Sequence, residues 1–330
     1  MTALPRTAEY FPFARGRYEV SPGLFQFGTD FGNGKPDRQV FQIDSEFERY
    51  HSNKIAARRE NLRKYYGIER FSVAEAEVVM KFIVSRLASE YPQWVTVERD
   101  KSTTRFQNML TGDRLIFDEQ FRLIDAAYGK TAMAPAYVSA LDALACQVPE
   151  DLAVVSVKSD VVHWISAIHA CAPNYWAPAD KVGQTFASIH SPVAGMESTN
   201  RAQQQMVNAM IFKGPYVRFS WGLVTDCYLN HHPQPAPGHD PAIWQGRIFD
   251  PMHPALFLRV ERQVAWGFPE IGAALFTIRT YVQDCAEITR NITKRTQLIA
   301  AIKSMTEAQL RYKGLLDQKE GVLQWLKQPG

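Results

Sequence analysis

The chain lacks the cysteine pairs that build most zinc sites and iron–sulfur clusters. Its four cysteines are Cys146, Cys171, Cys227 and Cys285, and none forms a CxxC pair. This spacing argues against a zinc site or an iron–sulfur cluster in the chain. Free thiols in a reducing cytosol are therefore expected, and the sequence predicts a cytoplasmic protein.

Other absences exclude whole classes of partner. No apolar run approaches the roughly 18 residues of a transmembrane helix, and the N-terminus has no secretory signal pattern. The 37 basic and 34 acidic residues give a net charge of +3 without a Lys/Arg run, which argues against nucleic acid as a partner. No GxGxxG and no flavin motif is present. We therefore expect neither a membrane nor a nucleic-acid partner.

What the chain does contain is enough apolar material for a sizeable core. Hydrophobic residues make up 46% and aromatic residues 12% of 330 residues, which suits one large domain or two small ones. The first 44 residues, rich in Pro, Gly and aromatics, are predicted to form an extended arm. Residues 45–66 indicate a charged amphipathic helix. Ser72 and Glu75 form a capping-box pair that predicts a second helix through about Tyr91.

The middle of the chain is rich in predicted strands. Two short strands flank a turn at 111–113. Five strand segments follow later, with the sequences LAVVSVKS, VVHWISAIHACA, YVRFSWGL, LFLRVERQV and ALFTIRTY. Helices are predicted over 134–148, about 179–186, 199–212, and from Tyr281 to about Trp325. The order favours an α+β fold, with an antiparallel sheet and helices on one face.

The segment 257–281 carries charges where a plain core hairpin would not place them. It is predicted to form two strands joined by a turn at 268–272. Because side chains alternate between the faces of a strand, Arg259, Glu261 and Gln263 share one face. They are close enough to build a small polar site, although a half-solvated edge hairpin would show the same pattern.

Upstream blocks extend this pattern into an ordered set. VGQTFASIHSPVAG and YVRFSWGL precede LRVERQ and ALFTIRTY. The set resembles the family of heme-dependent oxidative N-demethylase α-subunits, whose pattern is Ile-His-x-Pro-Val-Pro, Arg-x-Asn-Trp, Leu-Arg-Val-Glu-Arg-Gln and Phe-Thr-Ile-Arg-Thr-Tyr. The resemblance covers roughly residues 40–290. Ala194 and Ser220 stand where the family usually has Pro and Asn, and these departures leave the exact substrate open.

The resemblance implies a PAS-like sheet that holds heme against its flanking helices. The implied organisation is an N-terminal arm with helices over 1–100, a PAS-like heme-binding catalytic domain over 101–285, and a C-terminal helical extension over 286–330. The CxxCH motif of covalent heme attachment is missing, so the heme would be noncovalent heme b.

His190 is the predicted axial ligand of the heme iron. It follows a short predicted helix and precedes Ser191–Pro192, and a proline restricts the residue before it. Imidazole is a normal proximal ligand of heme iron, and a rigid segment would hold its ring in one orientation. From the residues alone a structural role is also open, whereas the resemblance favours ligation.

Competing histidines lie on a strand and in a loop. A regular strand would place His163 and His169 on one face, from which His169 could approach a heme edge. The Pro- and His-rich loop 230–255 contains His231–His232 and His239, which could form a surface metal site or simply be solvated. No HExxH motif or facial-triad spacing favours zinc or non-heme iron.

Arginines and an acid on the strands are the remaining candidates. Arg218, Arg259 and Arg279 could bind heme propionates or polarise dioxygen, or could pair with Glu261 and Asp226 across the sheet. Glu261 could hold an ammonium substrate, or could merely neutralise Arg259. Trp221 is expected to face the heme or to lie in the core.

The resemblance implies a monooxygenase that uses dioxygen and NADPH-derived electrons to convert dimethylamine into methylamine and formaldehyde. Because the chain has no flavin motif or cysteine cluster, a reductase subunit carrying FMN and [2Fe–2S] would supply the electrons. A folate-binding subunit that takes up formaldehyde is also implied. The loop 230–255 and the C-terminal helices are candidate docking surfaces.

Two other readings of the sequence stay open. A heme-binding PAS-type gas or redox sensor would bind the same cofactor without turnover, although the C-terminal segment is too short for an output domain. A cofactor-free protein, in which the motifs only build the core, would give a colourless preparation.

Overall fold

The computed structural model describes residues 3–19, 23–158, 162–195, 201–239 and 248–328, which form an α+β fold. The strands are β1 (Phe25–Gln26), β2 (Tyr66–Ile68), β3 (Val95–Arg99), β4 (Thr103–Asn108), β5 (Arg114–Asp118), β6 (Leu123–Ala127), β7 (Asp151–Lys158), β8 (Val162–His169), β9 (Tyr216–Val224), β10 (Phe257–Phe268) and β11 (Ala273–Asp284). The helices are α1 (Phe47–Tyr65), α2 (Val73–Glu90), α3 (Ala140–Ala145), α4 (Phe186–His190), α5 (Gln203–Phe212), α6 (Cys285–Thr289), α7 (Ile292–Lys303), α8 (Glu307–Tyr312) and α9 (Lys319–Lys327).

The larger of the two antiparallel sheets has the strand order β1-β9-β10-β11-β7-β8-β2. At its centre β10 and β11 form the predicted hairpin, whose turn contains a 3-10 segment at Pro269–Ile271. Gly272 closes the turn with a left-handed φ of 61°, a conformation that glycine adopts without steric cost. Glu261 on β10 lies between Thr280 of β11 and Ser220 of β9. The hairpin prediction is therefore confirmed.

One face of this sheet, here called the α4 face, packs against α4 and α5. Phe186 of α4 and Ile211 of α5 share a hydrophobic cluster with Val155 of β7 and Ala265 of β10. The α5 helix approaches β10 so closely that a Cβ atom at Gly267 would lie 2.0 Å from the carbonyl oxygen of Ile211. This approach fixes α5, and with it α4, against the sheet.

The opposite face of the sheet is covered along its whole length. Leu152, Val154 and Leu275 pack with α2, α3 and the smaller sheet, whose order is β3-β4-β5-β6. Leu258 and Val260 pack with the N-terminal arm and with helices α6 to α9. The sheet is thus covered on both faces, rather than on one face as the sequence suggested.

Helix boundaries follow local capping chemistry. The Ser72–Glu75 capping box opens α2 as predicted. The sequence predicts a helix over 179–186, but Gly183 adopts a left-handed φ of 78° within this range. The helix α4 begins only after Thr185, whose side chain caps it. The C-terminal region is divided into four helices, because Asn291 and Thr306 each cap a new one.

The N-terminal region contributes directly to the central sheet. Strands β1 and β2 form its two edges, while β3 to β6 build the separate smaller sheet. The division of the chain at about residues 100 and 285 stays a prediction. In the loop 230–255, residues 240–247 lie outside the described part of the chain, and the described flanks contain only one isolated bridge, between Asn174 and His231. Among the described helices, none has the length and apolar character needed to span a membrane.

Glu90, at the end of α2, connects this helix to the N-terminal arm. Its carboxylate accepts hydrogen bonds from the backbone N–H of Val40 at 2.9 Å and of Phe41 at 3.2 Å. Burial raises the pKa of Glu90 to about 7, although these two hydrogen bonds and the charge of Arg86 act against the rise. Between about pH 4.5 and 7, Glu90 is therefore protonated in the folded protein and ionised in the unfolded chain.

We expect the free energy of unfolding of the wild type to fall as the pH rises from about 4.5 to 7, relative to that of Glu90→Gln. The folded state binds more protons there, so the Glu90 contribution to stability is fully present below about pH 4.5 and is lost as the pH passes about 7. The difference amounts to about 3 kcal/mol at most. Urea unfolding of both proteins at pH 5.5 and pH 8 measures it, and an equal pH dependence in the two would contradict the prediction.

Candidate functional site

The α4 face carries a half-buried patch where it crosses β9, β10 and β11. The half-buried side chains of this patch are Tyr216, Arg218, Ser220, Glu261, Phe276 and Ile278. Leu275 and Thr277 alternate with Phe276 and Ile278 along β11. They point to the opposite face of the sheet and are buried. The patch therefore combines apolar surface with one acid and one guanidinium, a composition typical of a ligand-binding surface.

Glu261 is the centre of the polar part of this patch. Its carboxylate accepts a hydrogen bond from the Gln263 amide at 3.0 Å and lies 4.0 Å from the Arg259 Nε atom. Burial lowers the pKa of Arg218, and the charge of Glu261 opposes this shift. The Nε atom of Arg218 is buried and has no hydrogen-bond partner among the described residues. A carboxylate or another acceptor could therefore bind there.

Arg259 holds two loops against the end of the sheet. Its guanidinium donates to the backbone oxygens of Ala172 at 2.6 Å and Leu229 at 2.9 Å, and its side chain is almost fully buried. Burial lowers the pKa of Arg259, and the charge of Glu261 acts in the opposite direction. Because most of its N–H groups are occupied by backbone, Arg259 mainly shapes the site and places a positive charge behind Glu261.

His190 lies at the C-terminal end of α4, within reach of the charge of Arg218. Its Nδ1–H donates to the carbonyl oxygen of Phe186 at 2.8 Å, and the rings of His190 and Phe186 are in contact, with centroids 4.1 Å apart and planes tilted by 34°. Its Nε2 atom has no hydrogen-bond partner among the described residues. Burial lowers the pKa of His190 to about 4, against the effect of the hydrogen bond to Phe186, and Arg218 and Lys181 lower it further. At neutral pH the ring is therefore neutral, with its Nε2 lone pair free.

These residues fit a heme group. A histidine whose Nδ1–H is held by a backbone carbonyl presents Nε2 to a metal in a fixed tautomer and orientation. Arg218 on the same face offers an unpaired buried N–H group for a propionate. Phe276, Ile278 and Tyr216 supply apolar surface for a flat ring. His190, Arg218, Glu261 and Arg259 are thus brought to one face of the sheet.

Two other predicted site residues lie on the opposite face. Arg279 pairs across the strands with Arg262, forms a buried salt bridge with Asp44 at 2.8 Å and lies 3.6 Å above the ring of Tyr50. Trp221 packs edge-on against Phe13 and Tyr18 in the core. The strand alternation that groups Arg259 with Glu261 necessarily turns Arg279 away, because Arg279 is registered with Arg262. Neither residue is brought together with His190.

His163 and His169 do not share a face, in contrast to the prediction from a regular strand. Val154 of β7 pairs with Ala167 of β8, but the next residue, Val155, pairs with Ile165, so β8 contains a bulge. The bulge places His163 and His169 on opposite faces of the sheet. His163 points to the α4 face. His169 points to the opposite face and is fully buried beside Asp142, with its Nε2 atom 3.2 Å from the carboxylate. The bulge therefore separates His169 from the candidate site.

The cluster around His169 is a buried polar group that the cysteine spacing did not reveal. The ligand atoms of Asp142, Cys146 and His169 all lie within 4.8 Å of one another. Arg58, however, already forms a buried salt bridge with the same carboxylate oxygen. Burial would raise the pKa of Asp142, but the close contact with His169 and the charge of Arg58 lower it overall. A guanidinium thus occupies the place that a cation would need, which favours a structural role.

Replacing Arg279 tests the structural role that its position indicates. We expect Arg279→Met to lower the free energy of unfolding by about 3–5 kcal/mol, because Asp44 would be left buried without its partner. Asp44→Leu in the same chain should recover much of this loss. Denaturant unfolding of the two single variants and the double variant measures the effect. A folded Arg279→Met protein with a reduced heme content would instead return Arg279 to the cofactor site.

The sequence pattern placed Gln263 beside Glu261 on one strand face and His163 among the competing histidines, without predicting a catalytic or cofactor-binding role for either. Gln263 could be found from its strand alternation with Glu261, whereas the importance of His163 depends on its contact with α4, 23 residues away in sequence.

Comparison with known families adds the identity of the chain. A family model described as haem-dependent oxidative N-demethylase, alpha subunit-like, matches residues 33–323 and so includes every residue of the candidate site. The chain therefore belongs to the haem-dependent oxidative N-demethylase alpha-subunit-like family.

Proposed function

We propose that the protein binds heme b through His190 and catalyses the oxidative N-demethylation of a small secondary amine. The observation that carries the proposal is the hydrogen bond of His190 Nδ1–H to the Phe186 carbonyl, which leaves Nε2 free on the same sheet face as Glu261 and Arg218. The proposed reaction converts dimethylamine, dioxygen and two reducing equivalents into methylamine, formaldehyde and water. The family to which the chain belongs supports this reaction class.

Heme, when bound, supplies the iron at which dioxygen is reduced. The chain's own residues bind and orient the reactants. Glu261 holds the ammonium form of the amine, because its carboxylate is half-buried and its neighbour Gln263 fixes one oxygen. Arg218 would bind a heme propionate through its unpaired Nε–H. The buried guanidinium of Arg259 keeps the loops at Ala172 and Leu229 in place and lies behind Glu261.

The fold and the partners complete the proposal. The central sheet with α4 and α5 would act as a PAS-like unit, in which His190 of α4 and Arg218 of the sheet would hold the heme. The sequence contains no flavin motif or cysteine cluster, so electrons from NADPH would arrive through a reductase subunit with FMN and [2Fe–2S]. The alpha-subunit-like family description supports the presence of other subunits. A folate-binding subunit that takes up formaldehyde stays a prediction.

The visible spectrum of the purified protein tests the proposal first. We expect a Soret band, as isolated or after reconstitution with hemin, that shifts when dimethylamine is added. With a chemical reductant and dioxygen, formaldehyde should form in proportion to the amine consumed. Trimethylamine and ethylamine serve as comparison substrates, since ethylamine has no N-methyl group.

Two results would contradict the proposal. Absence of a Soret band after reconstitution would exclude heme dependence. A heme-loaded protein that binds dioxygen but forms no formaldehyde from any N-methylamine would exclude demethylation and favour the sensor reading.

A further inference from the structure

We propose that Lys313 is a further cofactor-binding residue, whose ammonium group binds a second heme propionate next to Arg218. Lys313 directly follows α8. It therefore belongs to the region that the sequence predicts to be a helical extension, and not to the predicted heme-binding domain. The inference rests on the proposed binding of heme at the α4 face.

The side chain of Lys313 reaches the α4 face at Gly222 of β9. Gly222 lies on the same side of β9 as Arg218 and Ser220, because side chains alternate along a strand, and it pairs with Arg259 of β10. A Cβ atom at Gly222 would lie 3.6 Å from Cδ and 3.7 Å from Nζ of Lys313. Lys313 thus covers the position on β9 that follows Ser220 on this face.

The edge of β9 leaves a path for this side chain. Strand β1 pairs with β9 only at Tyr216 and Val217, and no other strand of the described residues pairs with that edge. Leu310 and Leu315, which flank Lys313 in sequence, pack with Trp221 on the opposite face of the sheet. The backbone at Lys313 therefore lies below the sheet, and the side chain passes around the edge of β9 to the α4 face.

Tyr18 lies next to both Lys313 and Arg218 at this edge. The Nζ atom of Lys313 is 5.8 Å from the centroid of the Tyr18 ring, which is in turn 5.5 Å from that of Trp221. Burial raises the pKa of Tyr18, and the charge of Arg218 opposes this rise. One aromatic ring is thus shared by two cations along the edge of β9.

The charge of Lys313 determines the kind of group that it can bind. An ammonium group donates up to three hydrogen bonds and accepts none, so it attracts a carboxylate and repels the ammonium form of an amine. Heme has two propionate carboxylates. Arg218 offers its unpaired Nε–H to one of them, and Lys313 on the same edge offers a partner to the other. Gly222 makes this possible, because a glycine within a strand leaves room for a close approach.

Removing the charge of Lys313 while keeping its apolar stem tests the role. We expect Lys313→Met to lower the affinity for hemin by about 3- to 10-fold, between the effect of an exposed ion pair and that of a hydrogen bond to a charged group. The affinity for hemin dimethyl ester, in which both carboxylates are methylated, should not change. Lys313→Arg should recover most of the loss. Lys303→Met, which removes an exposed lysine of α7, is the matched control.

Gly222 allows a second test that leaves Lys313 in the sequence. Gly222→Val should displace the Lys313 side chain and lower the affinity for hemin, whereas Gly222→Ala should have little effect, since its Cβ atom would be in ordinary contact with Lys313. In the Lys313→Met background, Gly222→Val should add little further loss, because both changes remove the same interaction. Titration of each protein with hemin and with its dimethyl ester, followed in the Soret region, measures all of these affinities.

The outcomes separate this inference from the proposed function. If the wild type binds neither hemin nor the ester, the proposed function fails and the role of Lys313 fails with it. If the wild type prefers hemin and Lys313→Met keeps the same preference, only this inference is overturned. A preference that is lost in Lys181→Met instead would assign the carboxylate to Lys181, whose charge also reaches His190. Should Lys313→Met fail to fold, Gly222→Val decides: a loss for hemin alone supports the role, and any other result overturns it.

Discussion

His190→Gly is expected to abolish the Soret band of the purified protein, and added imidazole is expected to restore it. The Nε2 atom of His190 is the only proposed protein ligand of the iron, and glycine leaves a space of the shape of the lost ring beside Phe186. Free imidazole can enter this space and supply the missing nitrogen. The measurement is an absorption spectrum of each protein after reconstitution with hemin, with and without imidazole.

A glycine in α4 also weakens the helix, by about 1 kcal/mol, and this effect needs its own control. Ser188→Gly places the same residue in the same helix at an exposed position. It should keep the Soret band of the wild type. A band that persists in His190→Gly without imidazole would assign the ligand to another residue, and a band that does not return with imidazole in a folded protein would also contradict direct ligation.

Glu261→Gln is expected to lower kcat/KM for the amine by about 10–100-fold, mostly through KM. The variant keeps the size of the side chain and removes the charge that pairs with the ammonium group. A hydrogen bond to a charged group contributes about 1.5–3 kcal/mol, which corresponds to that factor. Gln263 can still contact the new amide, so the strand register and the heme spectrum without amine should not change. Amine titration followed in the visible spectrum gives the binding part separately from turnover.

Glu270→Gln is the matched control, because Glu270 is an exposed acid in the turn of the same hairpin. It should leave KM unchanged. Equal amine affinity in Glu261→Gln and the wild type would refute the role given to Glu261, and would leave this carboxylate as the partner of Arg259 and Arg218. A fall in kcat alone would instead indicate that Glu261 acts on a proton in the reaction rather than in binding.

The sequence by itself determined the local parts of this protein. The alternation of Arg259, Glu261 and Gln263 was visible because a strand has a period of two, and the structure places all three on one face. The Ser72–Glu75 capping box and the turn before Gly272 were visible for the same reason, since each depends on a few neighbouring residues. The ordered motif blocks also indicated the family, which the match over residues 33–323 confirms.

Tertiary structure alone decided which of these local features meet. The bulge in β8 depends on pairing with β7, and it sends His169 to the face opposite His163. Arg279 and Arg259 look alike in sequence, but the register of β10 with β11 gives Arg279 to Asp44 and Arg259 to the loops at Ala172 and Leu229. The N-terminal N–H groups of Phe186 and Ala187 in α4 donate to His163 of β8 and Gln203 of α5, and these contacts between three elements have no pattern in any one of them. A strand or a cap is set by neighbours along the chain, whereas a site is set by distances between segments that only the packed sheet brings together.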